Sequence, residues 1–292
     1  MSGDNGHATV AGRVHAKNHA TNKDSQAAED FAADLLEELH LGDRKDMKIR
    51  VFNLTWLVLP LGFYFLFEWA FEKFAPHIAD GDLNLALFEA ALFVPVVVFT
   101  LLAGKSQLAG WRMPRGLSWL WVAGPLWLGI VTPFTMAMEN LTLAPEKAIL
   151  WLAVSFFVAV NEETLFRGFI LRGMMRGFRP LTAVLVSSVA FGTLHLMNLN
   201  AGGDPVFVIA QVISAAGIGT IMAAMTLRSG SIVPALLFHF IGDFVGLSAL
   251  GGYEEGIQMP ELAPSMVISG LVFFAWGMFW SWRAVKKNKL RY

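Results

Sequence analysis

"FFVAVNEETLFRGF", residues 156–169, runs an apolar segment straight into two adjacent carboxylates and an arginine. Glu162 and Glu163 follow Val158, Ala159 and Val160 with only Asn161 between. Carboxylates are costly to take out of water. Their place at the end of an apolar run therefore needs an explanation from the rest of the chain.

The 292 residues are 55% hydrophobic, with ten Trp, 24 Phe and a mean hydropathy of +0.53. Charged residues make up 15%, against about 25% in soluble domains. This is the composition of a membrane protein. A formal net charge of −1 offers no electrostatic case for nucleic acid, so none is expected as a partner; the lipid bilayer is. The absence of Cys excludes disulfides and thiolate catalysis. No short apolar segment near the start reads as a cleavable signal peptide.

Residues 1–26 are polar and aperiodic and read as a disordered tail, with His7, His15 and His19 solvated. Residues 27–46 read as an amphipathic helix and linker. Phe31, Leu35, Leu36 and Leu39 share one face of it. The membrane domain is then 47–292. Apolar spans of about 20 residues, the length that crosses a bilayer, are expected at 51–71, 83–104, 117–138, 147–166, 181–200, 206–227, 231–250 and 263–284. The fold expected is an all-α polytopic bundle of about eight transmembrane helices. Pro60, Pro95, Pro125, Pro133 and Pro234 fall inside spans, which membrane helices tolerate. "SAAGIGTIMAA", residues 214–224, offers a small-residue face for close helix packing.

Charge sets the orientation. Arg44, Lys45, Lys105, Arg112, Arg172, Arg176, Arg228 and Lys286 all fall on one side of an alternating eight-span path. The other side receives Lys73, Lys147 and several acids. Basic loops stay cytoplasmic, so both termini are expected there.

Few ionisable groups lie inside the spans. His195 and His239 are the two histidines so placed, and Asp243 follows His239 by one helical turn on the same face. Glu162, Glu163 and Arg167 lie on the cytoplasmic half of the fourth span. Each Asp or Arg at membrane depth costs about 2.5–3.5 kcal/mol on insertion scales, so function is the default reading. Spans four and five form a hairpin turning near residues 177–180. Glu162 and His195 lie equally far from that turn, about 22 Å at 1.5 Å per residue, and can face each other. Arg172 follows Glu162 by ten residues, and Arg228 precedes His239 by eleven. Glu162 and His239 therefore both sit about 15 Å from the cytoplasmic boundary. Glu163 and Arg167 stand at i,i+4 in the favoured acid-first order. Glu162 is turned about 100° away from Glu163 and is free to serve elsewhere. One carboxylate holds the helix and the other works. Glu68, Glu89 and Asn84 read as interface or packing groups.

"EETLFR" (162–167), "FGTLH" (191–195) and "HFIGD" (239–243) resemble the Glu-Glu-x-x-x-Arg, Phe-x-x-x-His and His-x-x-x-Asn/Asp motifs of the CPBP family. These are the CAAX-processing and bacteriocin-processing membrane proteases, relatives of the Ras-converting endopeptidase. The similarity covers about 117–250. It implies an intramembrane glutamate endopeptidase of a bacterial or archaeal cell membrane, acting on a membrane-associated protein or peptide. By that resemblance Glu162 and His195 activate the attacking water. His239 and residue 243 stabilise the oxyanion, and Glu163 and Arg167 support. Apolar surroundings make a carboxylate a stronger base near neutral pH. The best-described members carry Asn where this chain has Asp243. An ionised Asp accepts hydrogen bonds and donates none. Asp243 is then either protonated or orients His239, and the second is the expectation.

The resemblance implies no cofactor. Two His and two carboxylates could also ligate zinc, the rival within enzymes, although no His-Glu-x-x-His segment occurs. A non-catalytic immunity or binding protein and a proton-relaying transporter are rivals from other classes. The lack of an internal repeat argues against the transporter.

Overall fold

The computed structural model describes residues 47–75, 80–102, 110–124, 145–252 and 258–288. The tail expected at 1–26, the helix and linker expected at 27–46, and the 125–138 portion of the third expected span lie outside the described residues.

Among the described residues every regular element is helical. In chain order these are α1 (Met47–Phe74), α2 (Gly81–Leu102) and α3 (Pro145–Glu163). A π-helical stretch, Thr164–Leu171, and a last α-turn, Arg172–Met174, continue α3. After a turn come α4 (Pro180–Leu194), which ends in a 3₁₀ stretch His195–Leu199, then α5 (Pro205–Ser229) and α6 (Val233–Leu250). A short 3₁₀ segment, Pro260–Leu262, leads into α7 (Ala263–Asn288).

Six of these helical segments are long and apolar enough to cross a membrane: Gly81–Val98, Glu146–Met174, Pro180–Leu199, Pro205–Ser229, Val233–Leu250 and Pro260–Lys287. They coincide with expected spans two and four to eight, and the chain is an integral multi-pass membrane protein. The first expected span lies in α1. The third differs at its start: residues 117–123 form bends and turns, with helix resuming only at Gly124. Gly110 and Gly116, both at positive φ, favour turns in this stretch. Leu59, Leu66, Ile268 and Leu271 stand exposed on α1 and α7. Such apolar surface suits contact with lipid.

Local chemistry sets the helix ends. Pro180 opens α4 after an extended Arg179 (φ −60°, ψ 144°), the preferred first-turn place for Pro. The Asp204 carboxylate caps α5 by accepting from the Val206 and Phe207 amides at 2.8 and 3.0 Å. α5 stops at Gly230, whose φ of 70° is the left-handed conformation that favours glycine.

The small-residue face finds its partner in α7. A Cβ on Gly217 would overlap the Gly270 carbonyl, and one on Gly277 would overlap Thr220. The two backbones are in contact, the arrangement that drives association where lipid removes the hydrophobic incentive. α3 packs against both α2 and α6, while α4 packs on α5 and on the π-helical stretch. This puts residues 161–167 where helices α2, α4 and α6 converge. At one end of the bundle, Arg112 and Arg172 both donate to the Gly230 carbonyl, and Arg228 donates to the Ser118 carbonyl while stacking on Trp280. Three of the basic loops assigned to one side thus meet there. Asp82 and Trp151 join α2 to α3 through a 2.8 Å hydrogen bond.

Candidate active site

α3 brings Asn161, Glu162, Glu163 and Arg167 into the interior, all 5% exposed or less. The Glu163–Arg167 pair expected from spacing is present: Arg167 Nη1 donates to Glu163 Oε1 at 2.9 Å. Arg167 sits within the π-helical stretch, a form concentrated at functional sites. The Ser187 hydroxyl of α4 donates to the Phe166 carbonyl there at 3.0 Å. The Arg167 guanidinium lies 4.2 Å from the Phe191 ring centroid, a cation–π contact.

α6 contributes His239, whose ring meets three carboxylates. Nδ1 lies 2.9 Å from Glu163 Oε1, and Nε2 lies 3.3 Å from Asp243 Oδ2 and 3.5 Å from Glu162 Oε2. The contact expected between His239 and Asp243 is direct. Asp243 is about one-third exposed, so this edge of the cluster reaches toward the surroundings while Glu163 is fully enclosed.

One relationship goes beyond the sequence reading. Glu163 does more than hold its helix, because the oxygen that receives Arg167 also receives His239. His195, expected to face Glu162 across the hairpin, has its ring edge-on to Phe191 at 5.6 Å. Phe191 stacks in the same manner on His239 at 5.7 Å. The aromatic ring thus touches both histidines, and the direct partner of Glu162 is His239. The hairpin turn falls at residues 175–179.

Glu89 lies closer to this cluster than spacing along the chain indicates. Read as a packing group, it is 2% exposed, and its Oε2 accepts from Asn161 Nδ2 at 2.7 Å. It lies within electrostatic reach of His239, Asp243 and Glu162. The available signal was a carboxylate well inside an apolar span. Among the described residues no three His, Cys, Asp or Glu side chains are grouped as metal ligands.

The site has the parts of an acid–base centre enclosed in apolar walls: adjacent carboxylates, a histidine hydrogen-bonded to one of them, and a second acid on that histidine. Residues 144–245 match the family model described as type II CAAX prenyl endopeptidase Rce1-like. The segment contains all three motifs, and the match supports both the CPBP/CAAX protease family and membrane protease activity. No curated protein and no solved structure matches the chain.

Proposed function

We propose, from the match of residues 144–245 to the Rce1-like CAAX endopeptidase model, that the chain is an intramembrane endopeptidase that cuts a membrane-associated protein or peptide with water activated by Glu162. The observation that carries this reading is the cluster of buried Glu162, Glu163 and His239 with the part-exposed Asp243, shared by α3 and α6 inside the family-matched segment.

In this mechanism Glu162 takes a proton from water and the oxygen attacks the scissile carbonyl. Glu162 then passes the proton to the departing amine. His195 orients the water from the Phe191 side. His239 turns a ring N–H toward the developing oxyanion. Its Nδ1 is engaged on Glu163, so the single N–H on Nε2, which faces Asp243 and Glu162 in the free protein, turns to the oxyanion once the substrate is bound. Arg167 balances the Glu163 charge, because an isolated buried carboxylate is strongly disfavoured. Glu163 Oε2 and the Arg167 Nη2 nitrogen have no hydrogen-bond partner, and Glu162 Oε2 has only the long 3.5 Å contact with His239. Such groups are rare in interiors, and they suit a site that takes up water and a peptide.

The test compares membrane peptidomes by mass spectrometry in cells carrying the intact chain or Glu162→Gln. A peptide cut only by the intact chain, with cleavage insensitive to chelator, is the expected result. Identical peptidomes would leave a binding or immunity role instead. Cleavage abolished by chelator and restored by zinc would replace the glutamate mechanism with a metal one.

A further inference from the structure

Glu89 lies on α2, outside the family-matched residues 144–245, and the three motifs make no use of it. A carboxylate buried this deeply in a membrane helix requires partners. Asn161 Nδ2 donates both to Glu89 Oε2 at 2.7 Å and to the Glu89 carbonyl at 2.9 Å. The Tyr64 hydroxyl on α1 also hydrogen-bonds the carboxyl. Asn161 is 1% exposed and immediately precedes Glu162.

One amide thus grips the backbone and the side chain of a single residue on the neighbouring helix. Two bonds to one point fix both the height and the rotation of α3 against α2. Glu162 follows one residue later, and its carboxylate stands 3.5 Å from His239 on α6. Any rotation of α3 that released Asn161 would swing Glu162 along α6. A polar staple serving packing alone could sit at any level of the α2–α3 interface. This one sits at the level of the cluster, within electrostatic reach of His239 and Asp243.

We infer that Glu89 is a positioning residue: through its hydrogen bonds with Asn161 it sets the rotation of α3 that presents Glu162 to His239. The inference rests on Glu162 being the base. It assigns α2 a direct part in the site's geometry although the family-matched segment begins after that helix.

The experiment uses the full chain in detergent and a synthetic peptide spanning the cleavage site found in the membrane peptidome. Turnover is counted per folded molecule. Glu89→Ala and Asn161→Ala are each expected to lower kcat at least about tenfold, since small misplacements of reacting groups cost up to about 10²-fold. KM should stay within about twofold, because substrate-binding groups are untouched. The double variant should be no slower than the slower single variant, as for two ends of one interaction. Glu89→Gln keeps an oxygen to accept from Asn161 and should retain kcat within about threefold. Unchanged kcat with a lowered melting temperature would mean a packing staple and would overturn the inference. So would Glu89→Gln as slow as Glu89→Ala, since charge would then matter rather than the bond. Should an alanine variant fail to fold, Glu89→Asp carries the same test: slower turnover at unchanged KM supports the inference, and wild-type turnover overturns it. If Glu162→Gln cuts the peptide as fast as the intact chain, the base assignment fails and takes this inference with it. If Glu162→Gln is dead while the Glu89 and Asn161 variants run at the wild-type rate, the inference alone fails.

Discussion

Glu163 Oε1 stands 2.9 Å from His239 Nδ1 and also 2.9 Å from Arg167 Nη1. A single buried oxygen therefore couples the first motif to the third and α3 to α6. Removing its charge should do two things. Arg167 would be left an uncompensated buried cation, at a cost of about 3–5 kcal/mol, and His239 would lose the acceptor that fixes its ring. Glu163→Gln is expected to lower the melting temperature and slow cleavage together. Wild-type melting with wild-type rate would show that the shared oxygen has no role.

Arg167 is fully buried against Phe191. Lysine could keep the charge but not the planar contact with the ring. Arg167→Ala is expected to cost about 3–5 kcal/mol of stability, and Arg167→Lys to recover only part of it. Yield and thermal unfolding measure this. A normal unfolding curve with an inactive Arg167→Ala protein would instead place Arg167 among the reacting groups.

Asp243 accepts from His239 without being enclosed. Asparagine could still accept through its carbonyl oxygen and would add a donor. Asp243→Asn is therefore expected to keep substantial cleavage activity, and Asp243→Ala to lose most of it. Loss of activity in Asp243→Asn, together with loss of bound zinc measured by elemental analysis, would favour the metal reading.

Gly217 faces the Gly270 carbonyl on α7, and that backbone atom cannot rotate out of the way. Gly217→Val should force α5 and α7 apart. The expected cost is at least about 1–3 kcal/mol, the usual range for overpacking, with the loss read as lower thermal stability. Unchanged melting would mean that the two helices separate freely.

The eight-span path with cytoplasmic termini makes a further prediction. Reporter fusions after Gly252 and after Tyr292 should report opposite sides, the second cytoplasmic, because a single span separates them. Equal reporting would exclude that path.

Hydropathy alone determined that this chain crosses a membrane and where six of its crossing segments lie. Span length and composition are local properties, and lipid imposes them with little help from tertiary contacts. The motif acids and histidines were legible for a related reason: an ionisable residue stands out against an apolar background. The small face at 214–224 announced a close helix contact but not which helix would fill it.

Partner choice within the site was decided only by the packed structure. Helical spacing pairs Glu163 with Arg167, but no periodicity within α3 reveals that His239 from α6 shares the same oxygen. The π-helical winding of 164–171 and the 3₁₀ turn at His195 change rotation per residue. Depth arithmetic set His195 level with Glu162, but only the packed structure shows its ring against Phe191. Glu89 meets Asn161 because α2 packs on α3 with its carboxylate level with that amide. That register depends on how two helices far apart in the chain rotate and slide against each other, and neither helix encodes it alone.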